Sequence, residues 1–459
     1  MEQITKPHCG ARLDRLPDCR WHSSMFAIVA FGLLVCWSNA VGGLILAQLK
    51  ALGWTDNSTT ATFSAITTAG MFLGALVGGI IGDKTGRRNA FILYEAIHIA
   101  SMVVGAFSPN MDFLIACRFV MGVGLGALLV TLFAGFTEYM PGRNRGTWSS
   151  RVSFIGNWSY PLCSLIAMGL TPLISAEWNW RVQLLIPAIL SLIATALAWR
   201  YFPESPRWLE SRGRYQEAEK VMRSIEEGVI RQTGKPLPPV VIADDGKAPQ
   251  AVPYSALLTG VLLKRVILGS CVLIAMNVVQ YTLINWLPTI FMTQGINLKD
   301  SIVLNTMSMF GAPFGIFIAM LVMDKIPRKT MGVGLLILIA VLGYIYSLQT
   351  SMLLITLIGF FLITFVYMYV CYASAVYVPE IWPTEAKLRG SGLANAVGRI
   401  NGIAAPYAVA VLLSSYGVTG VFILLGAVSI IVAIAIATIG IETKGVSVES
   451  LSIDAVANK

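Results

Sequence analysis

The stretch Gly82–Ala90, GDKTGRRNA, closes an apolar run that begins at Ala61. A run of about twenty apolar residues is long enough to cross a bilayer as a helix. This one stops abruptly in an aspartate, a glycine and three cations, Lys84, Arg87 and Arg88. A variant returns as MDKIPRKT, Met323–Thr330, so Asp83-Lys84 and Asp324-Lys325 stand 241 positions apart in a chain of 459. A spacing of half the chain predicts two copies of one unit.

Composition sets the solvent of that unit. The chain is 56% hydrophobic and 12% charged, with a mean hydropathy of +0.71, whereas soluble domains are about a quarter charged. Twelve apolar stretches of spanning length follow one another: 25–48, 61–81, 90–107, 113–134, 149–172, 182–201, 266–291, 302–323, 331–348, 352–377, 392–413 and 418–440. The expected fold is an all-α polytopic membrane protein, twelve transmembrane helices in two pseudo-symmetric six-helix bundles. The net charge of +9 suggests nucleic acid until the cations are placed: 29 of the 33 Lys and Arg fall on one side of the spans, Lys50, Arg181 and Lys299 on the other, and Arg118 within a span. That asymmetry is the positive-inside rule. It sets both termini in the cytoplasm and excludes nucleic acid as a partner.

The polar, basic start of the chain precedes a first span too long for a cleaved signal, so that span is read as retained. Seven cysteines (9, 19, 36, 117, 163, 271 and 371) fall in spans or on the inner side, where thiols stay reduced. His8, Cys9, Cys19 and His22 match no zinc spacing, so no metal is expected.

Further signals return in the same order. TEYMPGRNRG (137–146) and PEIWPTEAKLRG (379–390) each carry a glutamate, a proline and a closing Arg-Gly: Glu138 with Arg145, and Glu380 with Arg389. PESP (203–206) follows the sixth span and IETKG (441–445) the twelfth. The expected organisation is a cytoplasmic tail, 1–24; a six-helix bundle, 25–202; a cytoplasmic loop, 203–264; a second bundle, 265–441; and a tail, 442–459. Within the loop, Ala218, Val221, Met222 and Ile225 make one apolar helix face, and the prolines from Pro236 to Pro253 predict a linker. Two like bundles on a tether suggest alternating access to a central site. Asp83, Lys84, Gly86, Arg87, Arg88, Glu138, Arg145, Asp324, Arg328, Glu380 and Arg389 are then candidates for a cytoplasmic gate, as ion pairs or helix caps that hold the inner face closed.

These residues carry a resemblance to the major facilitator superfamily, and within it to the sugar porters and metabolite:proton symporters. GGIIGDKTGRR fits the G-x-x-x-D-[RK]-x-G-R-R loop motif; PESPRWL, ETKG, RFVMGVGLG and YVPEIWPTEAKLRGSGLANAVGRINGIAAP are similar to family segments along nearly the whole chain. The resemblance implies a monomer with a cavity between helices 1, 4, 7 and 10, helped by 5 and 11. It also exposes departures. Proton-coupled sugar porters carry an aspartate in the first helix where FGLLVCWS puts Ser38, although the fourth-helix arginine is kept as Arg118. Glutamines expected for sugar are replaced by Ser153 and Ala275-Met276, tenth-helix positions by Cys371-Tyr372 and Ala375, and a glycine by Pro327. A standard hexose site is not expected.

Ionised groups inside a membrane are expensive and by default functional. Arg118, Glu95 and His98 are the candidates for proton coupling; Glu95 and His98 share a helix face at i, i+3, and histidine switches near neutral pH. The substrate candidates are Arg118 and the amides and aromatics Asn39, Asn157, Trp158, Gln280, Asn285, Trp286, Tyr372 and Asn401, since amides both donate and accept. The glycines at 74, 78 and 79 and at 122, 124 and 126 are read as helix contacts. No phosphate-binding loop occurs, no cofactor is expected, and three histidines without a motif leave a membrane enzyme unsupported. A transporter-like sensor is expected to carry a sizeable soluble output domain, and the short tails argue against that reading. The expected function is a secondary active transporter in the inner or plasma membrane, moving a modified sugar, polyol or sugar acid with a proton. The alternatives are an aromatic or organic acid carrier, or an uncoupled facilitator.

Overall fold

The computed structural model describes residues 7–17, 19–141, 145–240, 253–383 and 386–444. Every regular element among them is helical. The first span is α2 (Arg20–Val35) and α3 (Gly42–Ala51), separated by six non-helical residues. Spans two to four are α4 (Asn57–Thr85), α5 (Arg87–Ala106) and α6 (Met111–Tyr139); the fifth is α7 (Arg145–Asn157) with α8 (Ser159–Leu170), bent at Trp158; the sixth is α9 (Ala176–Tyr201). The second half repeats the plan. Its spans are α13 (Gly260–Thr293), α14 (Leu298–Met309) with α15 (Gly311–Val322), α16 (Arg328–Ser347), and α17 (Met352–Val370) running through wide turns at Cys371–Tyr377 into α18 (Val378–Glu380). The last two spans form one run, α19 (Lys387–Ile439), divided where Gly417 takes a positive φ of 65°. The fold is the expected twelve-helix layout.

Both half-chain loops and the connecting helices α10 (Pro206–Ser211) and α11 (Tyr215–Thr233) lie on one side, called here the basic face. On the opposite face the helices start from side-chain caps: Asp56 accepts from the Thr59 N–H (2.7 Å), Asn110 from Phe113 (2.9 Å) and Asn297 from Asp300 (2.9 Å). Each such cap stabilises its helix by about 1 kcal/mol. Outward-facing Leu76, Ile80, Ile189 and Leu353 remain exposed, as residues that meet hydrocarbon must.

Glycine sets how closely the helices approach. A Cβ at Gly74 of α4 would collide with the Val123 carbonyl of α6, and one at Gly126 with the Met71 carbonyl. Gly78 and Gly122 lie in the same seam, and Gly124 lies against His98 of α5. Gly79 differs from the expectation: a Cβ there meets open space.

The loop helices carry a docked tail. In α1 (Cys9–Asp14), Cys9 and Leu13, with Leu16 beyond it, bury against Trp208 and the Ala218, Met222 and Ile225 face of α11. The apolar α11 face is therefore covered. Arg12 donates to Glu226 from Nε (3.0 Å) and Nη2 (2.7 Å), and Arg15 to the same carboxylate (2.7 Å). Residues 1–6, 18, 241–252 and 445–459, with much of the linker and the final tail, lie outside the described residues.

Replacing Gly74 by leucine overpacks the α4–α6 seam, where insertions into packed sites cost about 1–3 kcal/mol. The expected result is a lower melting temperature in detergent and less monodisperse protein, while Gly79→Leu melts within a degree or two of wild type; equal behaviour of the two variants would refute the packing assignment.

Candidate functional site

Unwinding Cys36–Val41 inside a membrane strands backbone polar groups that no water can satisfy. Arg118 of α6 meets part of that need. It is 1% exposed, and its Nη1 donates to the Ser38 carbonyl at 2.7 Å. Its Nε donates to Thr67 Oγ1 (3.3 Å), Met121 Sδ lies 3.3 Å from Nη1, and the guanidinium stands 4.5 Å from the Phe63 ring centroid. Among the described residues no carboxylate pairs with it. Just past the break, Gly42 and Gly43 let α3 touch the second half. A Cβ on Gly43 would strike the Ile284 and Asn285 carbonyls, and one on Gly42 would lie 2.8 Å from Arg118 Nη2 and 3.2 Å from Asn285 Oδ1. The break, Arg118 and Asn285 thus meet where the two halves touch.

Ser38 also faces α5. Its Oγ lies 2.7 Å from His98 Nε2, and His98 Nδ1 lies 3.5 Å from Glu95 Oε2. All three side chains are 0% exposed. The sequence places Glu95 and His98 on one helix face but gives no sign that Ser38, 60 residues earlier, completes a chain with them.

The other candidates separate. Asn39 lies in the break, half-buried; Asn157 and Asn401 are half-buried, and each amide donates to the carbonyl four residues back, Ser153 (2.7 Å) and Val397 (3.0 Å). Gln280 is half-buried on α13. Trp158 stands against Phe310, ring centroids 6.3 Å apart, on an apolar crevice lined also by Phe154, Phe314, Phe317 and Phe360. Trp286 and Tyr372 are fully buried in the core of the second half, where Tyr372 stacks on Tyr377 at 5.0 Å. Arg399, not singled out from the sequence, stands twelve residues into α19, and its Nη1 is buried without a partner among the described residues.

On the basic face, each half closes its own charge network. Arg87 donates to Glu138 (2.9 Å) and Asp83 (2.7 Å), and its backbone N–H donates to Glu204 (2.7 Å), as does that of Arg88 (3.2 Å). Gly86, with φ 96°, leaves room for the Glu204 carboxylate, which a Cβ would strike. In the second half Arg328 donates to Glu380 (3.0 Å) and Asp324 (3.1 Å), and the N–H groups of Arg328 and Lys329 donate to Glu442 (2.7 and 3.1 Å). Counterparts lie 238 to 242 positions apart. Glu204 and Glu442, which cap α5 and α16, complete these networks and are not among the residues singled out from the sequence; PESP and IETKG are their signal. Lys84 is exposed, Arg389 lies over the Tyr254 ring at 5.2 Å, and the side chain of Arg145 lies outside the description. Toward the opposite face, hydrogen bonds join the halves: Asn57 Nδ2 to Ser414 Oγ (2.9 Å) and Asn305 Nδ2 to Ser164 Oγ (3.1 Å).

Known proteins share this architecture. The family model described as Major Facilitator Superfamily matches residues 25–406. The inner membrane metabolite transport protein YdjE of Escherichia coli (strain K12) is 44% identical over 98% of this chain and 99% of its own. The niacin transporter NiaP of Acinetobacter baylyi is 26% identical over 96% of this chain and 99% of its own. Among solved structures, the inward open conformation of the xylose transporter XylE from E. coli superposes with a TM-score of 0.75, at 16% identity, over 94% of this chain and 99% of its own.

The Glu442 cap has a pH signature. Burial opposes its charge, but the backbone N–H groups of Arg328, Lys329 and Lys444 outweigh burial and hold its carboxyl below the usual carboxylate range. A depressed folded value contributes stability in full above the unfolded value, about 4.3, and loses it as pH falls through the folded value. Glu442→Gln is expected to melt below wild type at pH 7, with the gap closing as the pH is lowered through 4; a gap independent of pH would show that the carboxylate's charge contributes nothing.

Proposed function

The chain belongs to the major facilitator superfamily, and we propose that it is a secondary transporter moving a small polar metabolite, a polyol, modified sugar or sugar acid, by alternating access with a proton as coupling ion. It is a multi-pass membrane transporter of the metabolite type and not an enzyme. One observation carries the alternating-access reading. Among the described residues, the side-chain hydrogen bonds from Asn57 to Ser414 and from Asn305 to Ser164 join the halves toward the opposite face, while on the basic face Arg87 and Arg328 each satisfy carboxylates of their own half. Bundles tied internally at one face and to each other at the other face are suited to rocking. The cation distribution supports the basic face as the cytoplasmic one, with both termini there, in an inner membrane as for the E. coli relative. A monomer suffices, since each half completes its own networks.

The substrate reading rests on Asn39, Arg118, Asn157, Gln280, Asn285 and Asn401. Of these, Arg118 and Asn285 border the break, and the half-buried amides retain hydrogen-bonding capacity for a hydroxyl-rich solute. Trp286 and Tyr372 are left out because they are enclosed in the second half. A carboxylate-bearing substrate is the second reading. It is favoured by Arg118, a buried guanidinium without a carboxylate partner among the described residues, and by the name of the Acinetobacter relative, a niacin transporter. An arginine fork suits a carboxylate bidentately.

Purified protein in liposomes containing a trapped pH dye, challenged with radiolabelled myo-inositol, D-glucuronate and nicotinate, tests both. Uptake with internal acidification is expected for one class and little for the others, and Asn39→Ala and Asn285→Ala are each expected to raise its KM several-fold. Uptake without acidification would make the protein a facilitator, and nicotinate as the preferred solute would replace the polyol reading.

A further inference from the structure

Among the described residues, Glu95 is the only carboxylate, and His98 the only histidine, placed well inside a membrane span. The other spans hold their Asp, Glu and His residues at or near their ends. His98 lies eleven residues into α5, about 16 Å along a helix. Both side chains are 0% exposed, and Glu95 Oε1 is buried with no hydrogen-bond partner. A buried carboxylate with an unmet acceptor is costly unless charge is brought to it. The pair is therefore either a structural expense or a proton site.

Its surroundings decide between these. From the first span, Cys36 Sγ lies 4.0 Å from His98 Nδ1 and Ser38 Oγ 2.7 Å from Nε2. From α6, the backbone at Gly124 packs directly on His98 with no side chain between, and Arg118 reaches the group through the Ser38 carbonyl. On α5 itself Tyr94 donates to the Gly78 carbonyl, away from the pair. The neighbouring α4 has no ionisable residue before Asp83, and α9 none between Arg181 and Arg200. Among the described residues no fixed charge is bonded to the pair, yet the Ser38 hydroxyl, with the Cys36 thiol nearby, joins it to the unwound segment that holds Asn39 and is held by Arg118.

We propose that Glu95 and His98 are the membrane-buried proton site of this transporter, and that Ser38 passes its state to the break in the first span. The proposal rests on the proton-coupled reading above. In the proton-free state the Glu95 carboxylate accepts from His98 Nδ1–H, and His98 Nε2 accepts from the Ser38 hydroxyl, an assignment made from the hydrogen-bond network. A proton from hydronium, whose O–H bond breaks to leave water, then forms an N–H bond at Nε2. The imidazolium keeps Glu95 as its counter-ion, Nε2–H donates to Ser38 Oγ, and the Ser38 hydroxyl turns to another acceptor. The bond between α5 and the break reverses direction, and the net charge of the pair goes from −1 to zero. Ser38 thus acts as a positioning residue: its hydroxyl reports the proton, and its carbonyl holds Arg118 beside the substrate region.

The first test needs no substrate. Protein with ¹³C,¹⁵N-labelled histidine in lipid nanodiscs is examined by NMR from pH 5 to 9, with His8→Gln/His22→Gln leaving His98 as the one histidine. The His98 ring nitrogens are expected to show the Nδ1-protonated tautomer at high pH and imidazolium at low pH, with Glu95→Gln displacing the transition. Ring signals that do not change over that range overturn the proposal. The second test counts protons moved per substrate in the dye-loaded liposomes. Ser38→Ala is expected to lower that ratio at least fivefold, and Glu95→Gln or His98→Gln to make uptake with and without an imposed pH gradient equal within twofold. Variants that keep the wild-type ratio refute the site while leaving coupled transport standing. A wild-type protein that moves substrate with no proton refutes the coupled reading itself.

Discussion

A transmembrane helix can unwind only where something other than water satisfies its backbone. At Ser38 that partner is Arg118, whose burial would otherwise be hard to account for. The exchange serves both groups. A carbonyl released from the helix is strongly polar, and a guanidinium has five donors to satisfy; thioether, hydroxyl and aromatic face take up more of them at Met121, Thr67 and Phe63. The rest of the first span's behaviour follows. Because the chain turns out of helix at Cys36 and resumes at Gly42, Ser38 reaches α5 and Asn39 is left half-buried in the break. Beyond it, Gly43 closes on the α13 backbone and Gly42 on the side chains of Arg118 and Asn285. Replace Arg118, and the unwound segment loses its donor before any substrate is involved.

The two charge networks address a different problem, how a bundle moves without coming apart. A single exposed ion pair contributes about 0–1 kcal/mol, which is little to hold six helices. What distinguishes Arg87 and Arg328 is connectivity. Each arginine ties the end of one span to the loop aspartate before it and to a glutamate near the end of the next, while Glu204 or Glu442, from beyond the last span of the half, caps its helix N-terminus. Carboxylates at helix N-termini complement the helix dipole. Three chain segments are thereby pinned at one level in each half, and the same pinning recurs half a chain later.

What could be read from the sequence follows from what is local in it. Span number, topology and the half-chain repeat depend on apolar length and on Gly, Asp, Arg and Glu at fixed offsets, and these are visible in GDKTGRRNA and MDKIPRKT. The break at 36–41 was hidden because no proline marks it, and Gly42-Gly43 reads equally well as helix contact. Orientation was hidden too. In spans that are apolar all round, no polar face reveals which way Trp286 or Tyr372 points, and both turned into the second half's core. Gly79 looked like its neighbours and faces open space. The link from Ser38 to His98 depends on tertiary packing across sixty residues, which no local pattern encodes.

Under the proposed coupling, where the ionisable groups lie has a mechanical consequence. The first half holds the ionisable set, Glu95, His98 and Arg118, around an unwound segment; the second half faces that segment with the neutral Asn285 and, beyond it on α13, Gln280. A neutral amide binds a solute without needing a charge change of its own, so on this reading a proton can act on the substrate region only by moving the break. Ser38 bonds to both, through its hydroxyl to His98 and its carbonyl to Arg118. An aspartate at that position would combine proton acceptor and helix contact in one side chain. On the proposed coupling a serine divides the task, leaving the proton a helix away and making coupling depend on the direction of the Ser38–His98 hydrogen bond.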